Sequence, residues 1–247
     1  MGTIPHWSAE IPSLTTEQMI AVDRAMIEHY QITLIQMMEN AGRNLARLAR
    51  ERFFAGNPKG VRVVVLAGTG GNGGGGLVGA RHLANWGADV TISLTRPAEE
   101  YTGVPAQQLA TLLRMNTPVV QPNALGSVAS PALIVDSVIG YSLHGAPRGN
   151  VATLIRWANS QDAPILALDL PSGIDATTGS VGDPTINAVA TMTLALPKIG
   201  LRAPEAAAHV GELYLADISV PPSLYAMPAI GLHVGHVFSA SEIVRLW

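Results

Sequence analysis

The chain has 247 residues, of which 48% are hydrophobic and 13% charged, a composition that suits one large α/β domain and argues against long disorder. The absence of cysteine excludes disulfides, and the net charge of −3 argues against binding nucleic acid by phosphate neutralisation. No apolar run approaches the roughly 20 residues that span a bilayer, and no secretory signal is visible. We therefore predict a cytoplasmic protein with no membrane and no nucleic-acid partner.

Residues 15–50 are predicted to be helical, with a break at residues 31–33. Thr15 or Thr16 can cap the first helix, because both precede a run with helical periodicity. The apolar positions of this run recur at helical spacing: Met19, Val22, Met26, Ile27, Leu34, Met37 and Met38. The methionines among them are interpreted as core residues.

Strands and helices alternate over much of the remaining chain. The predicted strands are residues 62–67, 88–94, 132–135, 165–168, 188–196 and 213–216. The predicted helices between them are residues 77–86, 105–115 and 151–159. This alternation predicts a mostly parallel sheet that is covered by helices on both faces.

Two segments close the chain. Residues 221–235 are rich in Pro and Gly and are interpreted as an arm that leaves the domain. Residues 238–247 have a helical pattern, and Ser239 and Glu242 stand at capping-box spacing. This end is too short to form a domain of its own.

A glycine-rich segment follows the first predicted strand. Residues 68–76 hold seven glycines in nine positions, including the pattern Gly68-x-Gly70-x-x-Gly73. Glycines let a ligand approach the backbone closely, and the following helix N-terminus favours a phosphate. The alternative is a flexible turn, because the three-glycine pattern alone is weak evidence and Asp89, the acidic residue at Rossmann distance, precedes the second strand's apolar run.

Carboxylates follow two further strands. Asp136 ends the third strand and precedes a glycine-bounded loop, where it can move a proton, hold a cation or cap a turn. His144 in that loop is interpreted as an ordinary loop residue. Asp169, Ser172 and Asp175 follow the fourth strand, where they can bind a hard cation or stabilise a turn through Asx-type hydrogen bonds.

Lys198 follows the fifth predicted strand, where it can meet a phosphate or these carboxylates, or remain solvated. The sequence lacks a G-x-x-x-x-G-K-[ST] loop, an H-E-x-x-H motif and a G-x-S-x-G elbow. These absences argue against a P-loop NTPase, structural zinc and a serine hydrolase of that type.

The four segments, in this order, resemble the NAD(P)H-hydrate epimerase family, also described as the YjeF N-terminal domain. Residues 38–42 read Met-Glu-Asn-Ala-Gly, which is similar to a helical signature of the family. The resemblance runs from about Thr15 to Ile218. It implies a Rossmann-like three-layer α/β/α sandwich, usually a homodimer, that interconverts the R and S forms of NADH or NADPH hydrated at C6. It also implies a bound potassium ion as cofactor.

The resemblance also assigns site residues. Asn72, Asp136 and Ser172 match the potassium ligands, and Asp136 is the acid–base candidate, with Lys198 a lesser one. The residues that match substrate-binding positions are Gly71, Asn72, Gly73, Gly74, Gly75, Gly140, Tyr141, Ser142, Leu143, His144, Gly145, Ala146 and Asp169.

The glycine loop departs from the family pattern. The family reads Asn-Asn-Gly-Gly-Asp-Gly where residues 71–76 read Gly-Asn-Gly-Gly-Gly-Gly, so Gly71 and Gly75 replace an amide and a carboxylate. Each lost contact is worth roughly 1–3 kcal/mol when buried and charge-assisted. Two alternatives therefore stay beside the epimerase: a non-catalytic nucleotide-binding or scaffold module, and an enzyme of this fold acting on another small substrate.

The resemblance divides the chain at residue 220. Residues 1–220 correspond to the YjeF N-terminal-like domain with its N-terminal helices. Residues 221–247 are a C-terminal arm, and residues 237–242 resemble the linker that precedes a dehydratase domain in bifunctional relatives. The chain is interpreted as a stand-alone relative or as one module of a longer or split system, with a separate dehydratase as a possible partner.

Overall fold

The computed structural model describes residues 4–143 and 145–247. Its centre is an eight-stranded sheet in the order β3-β2-β1-β4-β5-β6-β7-β8, in which β1 to β7 run parallel and β8 is antiparallel to β7. The strands are β1 (Arg62–Ala67), β2 (Asp89–Leu94), β3 (Val119–Val120), β4 (Leu133–Ser137), β5 (Ile165–Leu168), β6 (Ala190–Leu194), β7 (Glu212–Ala216) and β8 (Ile243–Arg245).

Helices cover both faces of this sheet. They are α1 (Thr16–Glu28), α2 (Leu34–Phe53), α3 (Gly71–Asn85), α4 (Gly103–Arg114), α5 (Gly149–Asn159), α6 (Pro204–Val210) and α7 (Pro222–Tyr225), with short 3-10 helices at Ala98–Glu100, Pro122–Ser127 and Ile199–Arg202. Within β1, Val63 and Val65 join the cluster formed by α2, α3 and α4, whereas Val64 and Leu66 join the cluster of α5. Since alternate side chains of a strand face opposite ways, this pattern confirms the predicted α/β/α sandwich.

The predicted break in the N-terminal helix is confirmed. Thr15 and Gln18 form a capping box at the start of α1, and Thr33 and Gln36 form a second one at the start of α2. The methionines of both helices, Met19, Met26, Met37 and Met38, are buried, as their helical spacing indicates.

The glycine segment is helical earlier than the sequence predicts. We expected a loop over residues 68–76 and a helix from Leu77, but α3 begins at Gly71. Glycine disfavours a helix, yet here it is required by packing: a Cβ on Gly76 would lie 1.8 Å from the Ser137 hydroxyl oxygen. Tertiary contact between α3 and the sheet therefore overrides local propensity.

The predicted C-terminal helix is wrong. Residues 243–245 form β8, and Leu215 of β7 pairs with Val244. Val244 and Ile243 are buried and β-branched, which favours a strand once an open sheet edge is available. Tyr225, Ile230 and Val237 of the preceding segment pack with α1 residues, so residues 221–247 lie against the domain. Among the described residues, no helix is long and apolar enough to cross a membrane.

Candidate active site

A cavity of about 410 Å³ opens at the carboxyl ends of β1 and β4. Strand order reverses between these two strands, because the chain passes from β1 outward to β2 and β3 and then returns to β4. Open α/β sheets bind ligands at such a switch point. The wall is formed by the loops that follow β1, β2, β4 and β5 and by side chains of α1 and α2. This is the edge of the sheet at which the candidate residues were predicted to lie.

The first turn of α3 forms one wall of the cavity with its backbone. Gly70 is the N-cap and carries no side chain that could cap the helix, so the first N–H groups of α3 are free of a side-chain cap. A Cβ on Gly73 would lie 1.8 Å from the Gly68 carbonyl oxygen, and one on Gly68 would lie 2.0 Å from the Val138 carbonyl oxygen. The close approach of these loops therefore needs glycine. It places the N-terminus of α3 at the cavity, and helix N-termini favour anions.

Asn72 carries an unsatisfied side-chain amide. Its Oδ1 and Nδ2 atoms are both buried and have no hydrogen-bond partner among the described residues. Unpaired polar atoms in this position are costly, at about 1–3 kcal/mol for each group. Asn72 lies on the cavity wall beside Gly140, whose Cβ position would be 3.3 Å from the Asn72 side chain. The amide is thus placed to receive a ligand or an ion.

Asp136 and Ser172 come together beneath the cavity wall. The Ser172 hydroxyl donates to Asp136 Oδ1 over 2.7 Å, and the Ser172 N–H donates to Oδ2 over 2.8 Å. The Val138 N–H donates to Oδ1 over 3.1 Å, and the Ile139 N–H donates to the Ser172 hydroxyl over 2.9 Å. Complete burial raises the pKa of Asp136 to about 6, although its three donors oppose that rise.

Asp169 and Lys198 form a buried ion pair. The Tyr141 N–H donates to the other carboxylate oxygen of Asp169 over 3.2 Å, so this pair also fixes the loop after β4. Asp169 adopts a φ of 69°, a left-handed conformation that is strained for most residues and that recurs at functional sites. Of the options for Lys198, contact with a carboxylate is confirmed.

The Asp175 side chain stabilises the turn that follows it. Its Oδ1 accepts from the N–H groups of Thr177 and Thr178 over 3.0 and 2.7 Å. This is the Asx-type arrangement that the sequence offered as the alternative to cation binding.

Seven of the predicted substrate-binding residues line the cavity: Gly71, Asn72, Gly75, Gly140, Tyr141, Ser142 and Asp169. Gly73 and Gly74 face Gly68 and Met38 instead. Leu143, Gly145 and Ala146 do not belong to the described residues that line the wall. His144 lies outside the described residues. Asp136 and Ser172 contact each other but do not line the wall.

Sequence reasoning missed several residues of the cavity. Asp23 of α1 lines it and accepts a hydrogen bond from the Tyr141 hydroxyl over 2.5 Å. Thr95 and Arg96, after β2, also lie on the wall. For Asp23 one signal was available: it stands four residues after Met19, which places both side chains on one helix face. Nothing in the sequence of α1, however, indicates which face turns towards the sheet edge.

Comparison with known proteins agrees with this architecture. Residues 34–200 match the family model described as YjeF-related protein N-terminus. The chain belongs to this family. It is 41% identical over 238 residues to the NAD(P)H-hydrate epimerase of Dehalogenimonas lykanthroporepellens, covering 96% of this chain and 93% of that one.

Two further comparisons differ in how much of the other protein this chain covers. It is 35% identical to the bifunctional NAD(P)H-hydrate repair enzyme Nnr of Salinibacter ruber, covering 85% of this chain but only 41% of that enzyme. A crystal structure of the yeast protein ynu0 superposes with a TM-score of 0.76 at 26% identity, covering 96% of this chain and all of the yeast chain. The family fold therefore extends over nearly the whole of the chain.

Proposed function

We propose that this protein is an isomerase that interconverts the R and S forms of NADH and NADPH hydrated at C6 of the nicotinamide ring. The observation that carries the proposal is the cavity at the switch point, where a helix N-terminus built from glycine lies beside the unsatisfied amide of Asn72. The epimerase of Dehalogenimonas lykanthroporepellens, at 41% identity over nearly its whole length, supports the choice of substrate.

Different parts of the cavity suit different parts of the dinucleotide. The free N–H groups at the start of α3 suit a phosphate of the dinucleotide, because the helix dipole and the backbone donors both favour an anion there. Gly140, Tyr141 and Ser142 form the loop on the other side of the switch point. The hydrogen bond from the Tyr141 N–H to Asp169 fixes one point of this loop, which lowers the cost of ordering it around a ligand.

The oxygens of Asn72, Asp136 and Ser172 are of the chemical type that suits a potassium ion, although Asp136 and Ser172 lie beneath the wall, where their oxygens are already hydrogen-bonded. Oxygen ligands from an amide, a carboxylate and a hydroxyl suit a hard cation, and Asn72 Oδ1 has no other partner among the described residues. The described part of the chain has no group of three or more His, Cys, Asp or Glu side chains that could hold a metal ion, so the proposed potassium site relies on one carboxylate together with an amide and a hydroxyl. When bound, the ion would supply positive charge beside the buried Asp136 carboxylate.

The acid–base role of Asp136 stays a prediction. A carboxylate with a pKa of about 6 can exchange a proton near neutral pH, which favours that role. Its complete burial and its three donors favour the role of an ion ligand that also holds the loop after β4.

The decisive experiment follows interconversion of separated R and S hydrates of NADH and NADPH by proton NMR. We expect conversion well above the enzyme-free rate in potassium chloride. Replacing potassium by choline should slow the reaction by about tenfold or more, if the ion contributes at least about 1.4 kcal/mol to the barrier. Asp136→Asn should abolish most activity, whether Asp136 binds the ion or moves the proton.

Other outcomes would support the alternatives. Binding of the dinucleotide without interconversion would indicate a non-catalytic module, for which Gly71 and Gly75 are the structural reason. A folded protein that binds no dinucleotide would indicate another small substrate. Unchanged turnover in Asp136→Asn would exclude both roles of that residue.

A homodimer and a separate dehydratase remain proposals about partners. The exposed apolar side chains of α1 and α2 support self-association: Ile20, Ile27, Leu34 and Ile35. The bifunctional NAD(P)H-hydrate repair enzyme of Salinibacter ruber, of which this chain spans only 41%, supports a second activity on the same class of substrate, which we propose is the dehydratase.

A further inference from the structure

Asp23 stands out among the carboxylates at this edge of the sheet. Asp23 and Asp169 are the acidic side chains among the described residues that line the cavity. Asp169 is neutralised by the buried ammonium of Lys198. Asp136 lies beneath the wall with no solvent exposure. Within residues 4–143 and 145–247, no basic side chain forms a salt bridge with Asp23, so it is the cavity carboxylate that is free to gain and lose a proton.

Asp23 is held in place from two sides. Helix α1 presents it on the face of Met19, which also lines the cavity. The Tyr141 hydroxyl donates to Asp23 Oδ2 over 2.5 Å, and the Tyr141 N–H donates to Asp169. Tyr141 therefore links the two cavity carboxylates, and it positions the one that lacks a cation.

Burial, more than the charges nearby, determines the direction in which the pKa of Asp23 shifts. Burial raises the pKa of Asp23, and the negative charge of Asp169 adds to that rise. The Tyr141 O–H and the charge of Lys198 oppose it. These three groups are the titratable side chains of the described residues that act on Asp23 from outside α1. A carboxyl group whose pKa is raised is better matched to acid–base work near neutral pH.

We propose that Asp23, in place of the fully buried Asp136, is the general acid and base of the epimerisation, with Tyr141 as its positioning residue. The inference rests on the proposed function. Asp23 in its acid form donates a proton to the C6 hydroxyl while the C6–O bond breaks, and the lone pair of the ring nitrogen forms a C=N bond as water leaves. After the planar ring turns about its bond to the ribose, water adds to C6 from the same side. The C=N electrons return to nitrogen, and the added water gives its extra proton to the Asp23 carboxylate.

The test measures interconversion, dinucleotide affinity and their pH dependence for Asp23→Asn, Tyr141→Phe and Glu28→Gln. Asp23→Asn should reduce turnover by at least about 100-fold, as for loss of a general acid, while the Kd for hydrated NADPH changes by less than about threefold. Glu28→Gln is the matched control, because Glu28 is an exposed carboxylate of the same helix and should leave both quantities unchanged.

Tyr141→Phe provides a readout that a purely structural role would not move. Because the acid form of Asp23 starts the reaction, kcat/KM of the wild type should fall as pH rises through its pKa. Without the Tyr141 donor the carboxylate is less stabilised, so this fall should move to higher pH. The variant also keeps the test open if Asp23→Asn fails to fold, which thermal denaturation would reveal.

The outcomes separate the two proposals. An active wild type with an Asp23→Asn variant that turns over within threefold of it would overturn the role of Asp23 and leave the epimerase standing. Loss of affinity without loss of turnover, or an unmoved pH profile in Tyr141→Phe, would also overturn that role. A wild type that does not interconvert the hydrates would overturn both.

Discussion

The Lys198 ammonium and the Asp169 carboxylate form an ion pair whose side chains are only 0% and 5% exposed. The ammonium also donates to the Leu194 carbonyl over 2.9 Å and contacts the Thr193 hydroxyl at 3.4 Å. Each N–H of Lys198 therefore has an acceptor, which a buried charge requires. Through Tyr141, the same pair fixes one side of the cavity.

Removing one partner of this pair should be far more harmful than removing both. We expect Lys198→Met to reduce the free energy of unfolding by about 3–5 kcal/mol, because it leaves a buried carboxylate without its cation. Combining it with Asp169→Asn should recover part of that loss. Urea denaturation measures both values. The control is Lys59→Met, because Lys59 is the other lysine of the chain and is exposed. A loss below about 1 kcal/mol in Lys198→Met would show that the pair is not closed to water.

The glycines of the first loop should differ sharply in tolerance. A Cβ on Gly68 would lie 2.0 Å from the Val138 carbonyl oxygen, whereas one on Gly70 would meet nothing within 4 Å. We expect Gly68→Ala to destabilise the protein by about 2 kcal/mol or more through overpacking, and Gly70→Ala by less than about 1 kcal/mol. Equal stabilities in denaturant titrations would mean that the loops after β1 and β4 separate easily.

Much of the fold could be predicted because its signals are local. The capping boxes at Thr15 and Thr33 and the apolar run of β1 are each contained in a few residues. The strand β8 could not be predicted in this way, since Val244 becomes a strand residue only by pairing with Leu215. The helical start at Gly71 is similar: contacts of α3 with the sheet decide it, against the local preference of glycine.

The site was predictable where residues follow strands. Asn72, Asp136, Ser172 and Asp169 meet at one edge because the carboxyl ends of parallel strands meet there. Asp23 was not predictable, because its place depends on how α1 packs across the end of the sheet. A helix pattern gives the buried face but not the neighbour that this face meets.

Gly71 and Gly75 should respond differently when the family's polar side chains are restored. A Cβ on Gly71 would meet only the Met38 methyl carbon at 3.8 Å, so Gly71→Asn should fold normally. Because an added amide at the cavity wall can contribute up to about 1.4 kcal/mol to binding, we expect up to about tenfold tighter binding of the hydrated dinucleotide, measured by calorimetry.

Gly75→Asp meets a closer environment. Its Cβ would approach Leu168 Cδ2 at 3.0 Å, and position 75 is buried, so the leucine must shift and the new carboxylate is desolvated. We expect this variant to lose about 1–3 kcal/mol of stability in denaturant titrations, unless a cation neutralises the new charge. Because potassium would be such a cation, the loss should be smaller in potassium chloride than in choline chloride. An equal loss of stability in both salts would place the cation away from position 75. That result would not affect the Gly71→Asn prediction, in which tighter dinucleotide binding would show that this wall contacts the substrate.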